Sequence, residues 1–224
     1  MTIYKIGSRG EMVKQLQKAL HLYPDGIYGR NTLEAVTAFQ RDNGLKQDGM
    51  VGPATLAKLL PYRFKKSKRT INEIIVHCTA TPEGEGQTVE QIRAEHKKQG
   101  WSDIGYHYVI YRDGSVHEGR DVDIAGAHCE GHNSHSIGIS YVGGVEARRP
   151  NVPYASLKAK DTRTDLQKVA LLSLLLDLRK LYPNAKIYGH RDTSPDLNGN
   201  GIVEPCEFVK TCPSFDAKTE YRRI

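Results

Sequence analysis

Apolar residues recur every three or four positions through the first sixty residues of the chain, a spacing that predicts amphipathic helices. The pattern predicts three helices, at residues 10–21, 31–43 and 53–60. The second helix is expected to bury Leu33, Val36 and Phe39 along one face. These short elements predict a small all-α, three-helix domain at the N-terminus.

A repeat of turn and helix underlies the spacing of these elements. DGIYGRNTLEAV occupies residues 25–36, and DGMVGPATLAKL follows at residues 48–59, offset by 23 positions. Each copy begins with Asp-Gly, a turn signal, and reaches a Thr-Leu pair that opens an apolar helical pattern. The repeat therefore indicates two similar turn-helix units within one domain.

From Ile71 onward the pattern changes to short apolar strands that alternate with helices. Strands are predicted in INEIIVHCTAT, GYHYVIY, SIGISYVGG and AKIYGH, and helices in TVEQIRAEHKKQGW and TDLQKVALLSLLLDLRKLYP. Asp113 and Gly114 mark a hairpin turn, and two of the strands are expected to end at His77 and His190. Strands interleaved with helices predict an α/β domain, a mixed central sheet flanked by helices.

Between the two patterns lies PYRFKKSKRT, residues 61–70, which is rich in basic residues and has no acidic one. Such a run is typical of a solvated linker. We therefore expect an N-terminal domain over residues 1–60, a basic linker over 61–70 and a second domain over 71–224.

Composition and charge narrow the class of protein and the kinds of partner. With 224 residues, 38% hydrophobic and 26% charged, the chain is ordinary for a soluble globular protein. The formal net charge of +6 favours an anionic partner, which could be nucleic acid, a membrane surface or an acidic cell-wall polymer. No nucleic-acid-binding motif is recognised, so we expect no nucleic-acid partner.

The N-terminus and the cysteines bear on where the protein works. The chain does not open with a basic head and an apolar core, and no apolar run approaches the roughly 20 residues that cross a bilayer. We therefore expect synthesis in the cytoplasm without a signal peptide, and action elsewhere after release by another route. The four cysteines form no CxxC pair, which favours metal ligation or burial over a disulfide scaffold.

The segment from His190 to Asp216 carries the densest set of reactive groups. It holds a histidine at a predicted strand end, then Lys210, then Cys212 two residues later. Imidazole and thiolate suit a borderline metal such as zinc, and a catalytic zinc needs three protein ligands and one open position. His77 would complete the set. Each residue alone also fits a simpler interpretation, a capped strand-end histidine or a Cys-Pro turn.

The first domain resembles a known binding module. Residues 6–60 contain IGSRGEMVKQLQKAL, DGIYGRNTLEAVTAFQ and DGMVGPATLAKLL, which match the motifs of the peptidoglycan-binding domain of many cell-wall hydrolases. The resemblance implies that bacterial peptidoglycan is a partner, with a shallow groove near residues 25–29 as the contact. Taken singly, the same glycine and apolar positions only specify a helical bundle.

Five segments of the second domain carry a further resemblance, in order: VHCTAT, QGWSDIGYHYVIYRDGSVHEGRD, AGAHCEGHNSHSIGISYVGG, GHRD and KTCPSFD. They are similar to the zinc-dependent N-acetylmuramoyl-L-alanine amidases of the phage-lysozyme and peptidoglycan-recognition type. The resemblance implies zinc ligands at His77, His190 and Cys212. It also implies catalytic residues at Tyr106 and Lys210 and a substrate contact at His128.

These residue types suit the hydrolysis of an amide. Zinc lowers the pKa of its bound water to about 7 and polarises the carbonyl group, which addresses the scarcity of hydroxide and the instability of the oxyanion. Lys210 is expected to stabilise the oxyanion, and Tyr106 to orient the water or pass protons. Without the zinc ligands, the simpler interpretations would be a solvated cation for Lys210 and a core aromatic for Tyr106.

Further histidines follow in AHCEGHNSHS, a loop rich in glycine and serine. His128, His132 and His135 are spaced by four and three residues, which suggests a second metal site, but a loop does not force such ligands to converge. We interpret His128 as the substrate contact and the other two as loop residues. Cys78 adjoins an expected ligand on a strand, so it should point away from that ligand and be buried.

The insertion DLNGNGIVEPCE matches the pattern of a calcium loop. Its oxygen ligands, at loop positions 1, 3, 5, 7 and 12, would be Asp196, Asn198, Asn200, the carbonyl of Ile202 and Glu207. No helix precedes the loop, so it is not a full EF-hand, and Asn-Gly pairs are by themselves turn signals. The pattern predicts Ca²⁺ as a cofactor in addition to Zn²⁺. The bound Ca²⁺ would brace the loop that carries Lys210 and Cys212.

Two functions from different classes remain open. In the first, the protein is an endolysin-like amidase that cleaves between N-acetylmuramic acid and L-alanine and lyses the host of a phage, acting at the cell wall. In the second, it is a peptidoglycan-recognition protein that binds muropeptides without cutting them. Cys212 argues against the second function, because non-catalytic relatives typically lack that ligand. A monomer is expected in either case.

Overall fold

The computed structural model describes residues 3–60 and 64–224. The chain divides into two compact units, the first made of Met1–Phe64 with Leu171–Lys180 and the second of Lys65–Ala170 with Leu181–Ile224. In the described part of the chain, no helix combines the length and the apolar character needed to span a membrane.

Three helices form the N-terminal part of the first unit, as the apolar spacing predicts. They are α1 (Glu11–Ala19), α2 (Arg30–Asp42) and α3 (Pro53–Leu59). Of the three residues expected to be buried in α2, Val36 is buried, but Leu33 and Phe39 are only half-buried. The prediction is wrong for these two, because Thr32 and Gln40 occupy the buried face instead.

Hydrogen bonding by Gln40 explains why a polar residue is buried there. Its Nε2 donates to Asp48 Oδ1 at 3.0 Å, to the carbonyl of Met50 at 2.9 Å and to Thr55 Oγ1 at 3.0 Å. Its Oε1 accepts from the amide of Gly49 at 2.9 Å. One buried side chain thus satisfies the polar groups of the turn that precedes α3.

The first copy of the repeat carries the same network. Gln17 Nε2 donates to Asp25 Oδ1 at 2.7 Å, to the carbonyl of Ile27 at 3.0 Å and to Thr32 Oγ1 at 3.1 Å. The amide of Gly26 donates to Gln17 Oε1 at 2.9 Å. The sequence repeat therefore encodes a repeated hydrogen-bond network in addition to a turn and a helix.

A mixed sheet of five strands forms the centre of the second unit. The strands of this unit are β1 (Glu73–Cys78), β2 (Thr81–Pro82), β3 (Tyr108–Ile110), β4 (Val116–Glu118), β5 (Ser136–Tyr141), β6 (Gly144–Val145) and β7 (Lys186–Gly189). The main sheet has the order β4-β3-β5-β1-β7, and β2 pairs separately with β6. Only β4 runs antiparallel to its neighbour in the main sheet. The predicted mixed sheet and its β3–β4 hairpin are confirmed.

Helices α4 (Val89–Lys98), α5 (Asp165–Leu181) and α6 (Ala217–Glu220) follow in chain order. A capping box starts α4, where Thr88 Oγ1 accepts from the amide of Gln91 and Gln91 Oε1 accepts from the amide of Thr88. Thr164 and Gln167 exchange the same two bonds at the start of α5. Both helices thus begin where side chains satisfy the first free amides.

The parallel register brings the carboxyl ends of β1 and β7 side by side. Val76 is paired with Gly189, so the residues that follow them, His77 and His190, lie at the same edge of the sheet. His77 belongs to β1, whereas His190 opens a short 3₁₀ turn that ends at Thr193. The strand predicted to end at His190 therefore stops one residue earlier.

The basic segment predicted as a linker is mostly part of the second unit. Its residues 61–63 lie outside the described part of the chain. The second unit begins at Lys65, and the hydroxyl of Ser67, a buried residue, donates to the carbonyl of Val122 at 2.6 Å. Arg69 Nε donates to the same carbonyl at 2.8 Å. Ser67 and Arg69 thus bind a backbone acceptor of the second unit, whereas the three lysines of the stretch are exposed. The role of the stretch as a linker stays a prediction.

Candidate metal centre

His77 and His190 extend from neighbouring parallel strands toward one point. Their ring centroids lie 4.6 Å apart with an angle of 63° between the planes. His77 is buried and His190 is half-buried. Because the sheet fixes both backbones, the spacing of the two imidazoles is set by the fold.

Cys212 joins this pair from a distant loop. Its Sγ lies 3.8 Å from His77 Nδ1 and accepts from the backbone amide of Cys78 at 3.3 Å. Donor atoms of His77, His190 and Cys212 all lie within 4.8 Å of one another. Zinc, with bonds of about 2.0–2.3 Å to nitrogen and sulfur, fits a group of this size. The structure thus brings together the three residues that the sequence resemblance nominates.

Several contacts hold the Cys212 loop against the sheet. The amide of Arg191 donates to the carbonyl of Cys212 at 2.7 Å, and the hydroxyl of Tyr141 donates to the carbonyl of Pro213 at 2.7 Å. A Cβ atom at Gly189 would lie 2.6 Å from Pro213 Cδ. Only glycine therefore allows the loop to approach the end of β7 this closely.

Burial controls the protonation of the three candidate ligands. It lowers the pKa of His77 well below the usual value, and the nearby imidazoles of His128 and His190 act in the same direction. Burial and the nearby Lys210 lower the pKa of His190 to about 4. Both imidazoles are therefore neutral at neutral pH, the form that binds a metal. Burial raises the pKa of Cys212, so its thiolate needs an adjacent positive charge, which a divalent cation supplies.

Tyr106 and Lys210 flank these ligands. The ring centroid of Tyr106 lies 5.3 Å from that of His77. Burial, followed by the nearby Cys212, raises the pKa of the Tyr106 hydroxyl, so it stays protonated and can donate a hydrogen bond. Lys210 is exposed, and both side chains line a cavity of about 540 Å³ that also contacts His190 and Cys212.

A second cavity, of about 610 Å³, shares one wall with the first. The residues common to both are Trp101, Ala127, His128, His190, Val209 and Lys210. Trp101, the single tryptophan of the chain, is 39% exposed and is not among the site residues predicted from the sequence. An exposed tryptophan beside a cluster of ligands is the signal that would have nominated it as a wall of the cleft.

His128 contacts a ligand as well as the cleft. Its Nδ1 lies 3.0 Å from His77 Nε2, and its Nε2 lies 3.3 Å from Ser136 Oγ. If His77 bound a metal through Nδ1, its Nε2 would carry the proton and donate to His128, which could then donate to Ser136. His128 lines both cavities and is 7% exposed. Its contact with substrate stays a prediction, and the structure adds a hydrogen bond to a ligand.

In the insertion that matches a calcium loop, the side-chain oxygens accept bonds from the loop's own backbone. Asp196 accepts from two amides, at 2.8 and 2.7 Å, and Glu207 from three, at 2.8, 3.1 and 2.8 Å. Asn198 and Asn200 each accept from the amide two residues further on. Glu207 is buried, whereas Ile202 is exposed. These bonds account for the shape of the loop, and Ca²⁺ binding stays a prediction.

The fold and the site together indicate a class of protein. Two neutral imidazoles and a thiol meet at the carboxyl edge of a mixed sheet, and the group opens on one side to a cleft. Three protein donors with a free side are typical of catalytic zinc sites.

Sequence comparisons with known proteins agree with that class. Residues 67–213 match the family model for N-acetylmuramoyl-L-alanine amidase, and residues 9–59 match the model for a peptidoglycan binding domain. The chain is 40% identical to the endolysin of Klebsiella phage KP32, over 70% of this chain and 88% of that one. It is 37% identical to the endolysin of Escherichia phage T7, over 68% of this chain and 87% of that one. The solved amidase LysC from Clostridium intestinale is 23% identical, with a TM-score of 0.49 over 71% of this chain and 90% of that one.

The chain belongs to the N-acetylmuramoyl-L-alanine amidase family. It is a peptidoglycan amidase with a peptidoglycan-binding domain at its N-terminus. Both family resemblances drawn from the sequence are confirmed.

Proposed function

We propose that the protein is a zinc-dependent endolysin that cleaves the amide bond between N-acetylmuramic acid and L-alanine of the stem peptide. The observation that carries the proposal is the convergence of His77, His190 and Cys212 within 4.8 Å. Burial keeps the two imidazoles neutral, and three ligands leave a fourth position for water. The donor set therefore suits zinc.

The residues around the ligands match the needs of amide hydrolysis. Zinc in this site would supply a bound water with a pKa of about 7 and a Lewis acid for the scissile carbonyl, as is usual for zinc held by three protein ligands. The ammonium group of Lys210 would stabilise the oxyanion that forms on the substrate. The hydroxyl of Tyr106, kept protonated by burial, would hold and donate a proton close to the reacting oxygen atoms.

The N-terminal domain would keep the enzyme on its polymeric substrate. Residues 9–59 match a peptidoglycan binding domain, and tethering to the polymer raises the local concentration of scissile bonds. Relatives from phages KP32 and T7 are endolysins. This supports lysis of a bacterial host by an enzyme made in the cytoplasm and released to the cell wall.

A non-catalytic peptidoglycan-recognition protein is the rival function. A binding protein has no need of a complete ligand set, yet Cys212 Sγ lies 3.8 Å from His77 Nδ1. Lys210 also lines the cleft beside His190. The complete set favours hydrolysis over binding alone.

Digestion of purified peptidoglycan tests the proposal. We expect new amino groups without new reducing sugar ends. Reducing ends would indicate a glycosidase instead, and pelleting with the wall without either product would indicate a binding protein. The matched variant is Cys212→Ser, which should lose the zinc held by His77, His190 and Cys212 and release no amino groups while it still pellets with the wall.

A further inference from the structure

A second cluster of metal-ligating side chains lies outside the amidase site. Glu73 Oε2 lies 2.7 Å from His132 Nδ1 and 3.3 Å from His135 Nε2. One donor atom from each of these residues lies within 4.8 Å of the other two. Within the described ranges of the chain, it is the only such group besides the three amidase ligands. The loop histidines, for which the sequence predicted no role, therefore converge on a carboxylate.

The cluster is separate from the amidase site. Glu73 opens β1 and His77 lies four residues further along the same strand. At the rise of an extended strand, this separates the two backbones by about 13 Å. None of Glu73, His132 and His135 lines either cavity of the cleft. The two sets of donor atoms are therefore distinct, and each would hold its own ion.

Backbone contacts hold the main chain of the three residues in place. Glu73 is paired with Ser136 of β5 on one side and with β7 on the other. The turn before β5 is closed by the amide of His135, which donates to the carbonyl of His132 at 3.3 Å. The amide of Asn72 donates to the carbonyl of His135 at 3.0 Å. Ligands held by strands and a closed turn lose little conformational entropy on binding.

The donor set selects the class of ion. Two imidazole nitrogens and one carboxylate oxygen suit zinc and other borderline divalent ions, whereas Ca²⁺ and Mg²⁺ prefer oxygen ligands. His135 Nδ1 lies 3.2 Å from Ser134 Oγ, which leaves Nε2 to face the cluster. The side chains of Glu73, His132 and His135 are 17%, 31% and 33% exposed. One side of the cluster therefore stays open for water to complete the coordination.

We propose that Glu73, His132 and His135 bind a second divalent ion of the zinc class. The ion fastens the start of β1 to the turn that precedes β5. The same loop carries His128 and Cys129, which line the cleft, so fastening its end steadies one wall of the substrate site. The other interpretation of the same distances is a hydrogen-bonded cluster in which the carboxylate and imidazoles share protons.

Metal stoichiometry distinguishes these interpretations. The full-length chain is dialysed against zinc and the bound metal is measured by elemental analysis. We expect two ions per wild-type chain, one in Cys212→Ser/His190→Asn, and one in His132→Gln. Cobalt(II) then identifies each site, because only the site with a thiolate gives a sulfur-to-cobalt charge-transfer band. The double variant should keep the visible cobalt bands and lose the charge-transfer band.

The matched control is His117→Gln, a histidine of the β3–β4 hairpin outside both clusters, which should keep two ions. The proposal is overturned if the double variant binds no ion. It is also overturned if His132→Gln and Glu73→Gln bind as many ions as the wild type. Because wild-type stoichiometry and the cobalt spectrum need no substitution, a variant that fails to fold does not prevent a decision. A wild-type chain that binds one ion and gives no sulfur-to-cobalt band would leave this proposal intact and contradict the zinc-dependent amidase.

Discussion

Lys210 should act in catalysis without binding the metal. Its side chain lines both cavities of the cleft but belongs to no ligand set. Removing its ammonium group should leave zinc in place and take away stabilisation of the oxyanion. We expect Lys210→Ala to retain zinc by elemental analysis and to lose kcat by roughly 10²–10³-fold, measured as amino groups released from peptidoglycan.

A matched charge loss elsewhere serves as the control for Lys210. Lys186 is exposed at the amino end of β7, the end opposite to His190. Lys186→Ala should therefore retain the wild-type kcat. Lys210→Arg, which keeps the positive charge, should retain more activity than Lys210→Ala. A Lys210→Ala protein that works at the full rate would refute the role.

His128 should hold a zinc ligand in its metal-binding form. Its Nδ1 lies 3.0 Å from His77 Nε2, and partners of this kind orient a ligating imidazole. We expect His128→Ala to weaken zinc binding by roughly 10–100-fold, measured by competition with a chelating dye. His128→Asn carries an amide oxygen near the position of Nδ1 and should restore most of the affinity.

The substrate contact that the family resemblance implies for His128 makes a different prediction. A residue that only contacts substrate would raise KM on truncation and leave zinc affinity unchanged. Both roles are compatible with a side chain that lines the cleft, so the two measurements separate them. Equal zinc affinity in His128→Ala and the wild type would remove the orienting role.

The identities of the site residues could be predicted from the sequence, but their partners could not. His77 and His190 follow apolar strands, and motif order nominated Cys212. The bond between His77 and His128 and the cluster around Glu73 depend on how a glycine-rich loop folds back. No hydrophobic periodicity encodes side-chain directions in such a loop.

At the scale of elements, the buried glutamines should stabilise the turns of the first unit. Gln40→Ala leaves the amide of Gly49 and neighbouring groups without their partner, at a cost of about 1–3 kcal/mol in the free energy of unfolding. We expect hydrogen exchange at the Gly49 amide, followed by NMR, to become faster. Denaturation should show the same loss of stability.

The repeat supplies its own control. In Gln40→Ala, exchange at the Gly26 amide should stay slow, because Gly26 donates to Gln17. Gln17→Ala should reverse the pattern. Gln47 is exposed, and Gln47→Ala should change stability by no more than about 0.5 kcal/mol. Unaltered exchange at Gly49 in Gln40→Ala would mean that the network does not hold the turn.

The buried face of α2 differs from the face that apolar spacing predicts. Spacing predicted the helix to within about a residue of its bounds, as expected for a strongly periodic segment. It assigned burial to Leu33 and Phe39 because apolar residues are the default for a core. Gln40 is buried instead because the polar groups of the turn before α3 need its side chain as a hydrogen-bond partner.

The loop that begins at Asp196 should bind Ca²⁺ through the predicted oxygen ligands. Position 12 of such loops is the bidentate ligand, so Glu207→Gln should abolish the heat of calcium binding in calorimetry of the intact protein. Glu118→Gln, at an exposed position on β4, is the control and should leave it unchanged. Absence of a heat of calcium binding in the wild type would contradict a calcium site in this loop.

At the scale of the whole molecule, the metal centre joins parts of the chain that are distant in sequence. Cys212 and His77 are separated by 135 positions. The order of strands and helices predicted a mixed sheet, and family motifs then placed both residues at its edge. Charge composition alone does not show which basic residues of the segment 61–70 have hydrogen-bond acceptors in the fold. Arg69, for one, donates to the carbonyl of Val122.

An ion shared by β1, the turn after β7 and the C-terminal loop should stabilise the native state. Zinc at roughly 1,000 times its dissociation constant contributes about 4 kcal/mol through binding to the folded form alone. For a chain of this size, we expect a chelator to lower Tm by roughly 8–16 °C in scanning calorimetry. Cys212→Ser should lose most of that response, and any remainder measures the ion at the cluster around Glu73. An unchanged Tm after complete removal of zinc would contradict an ion shared by His77, His190 and Cys212, because binding that ion to the folded chain must favour folding.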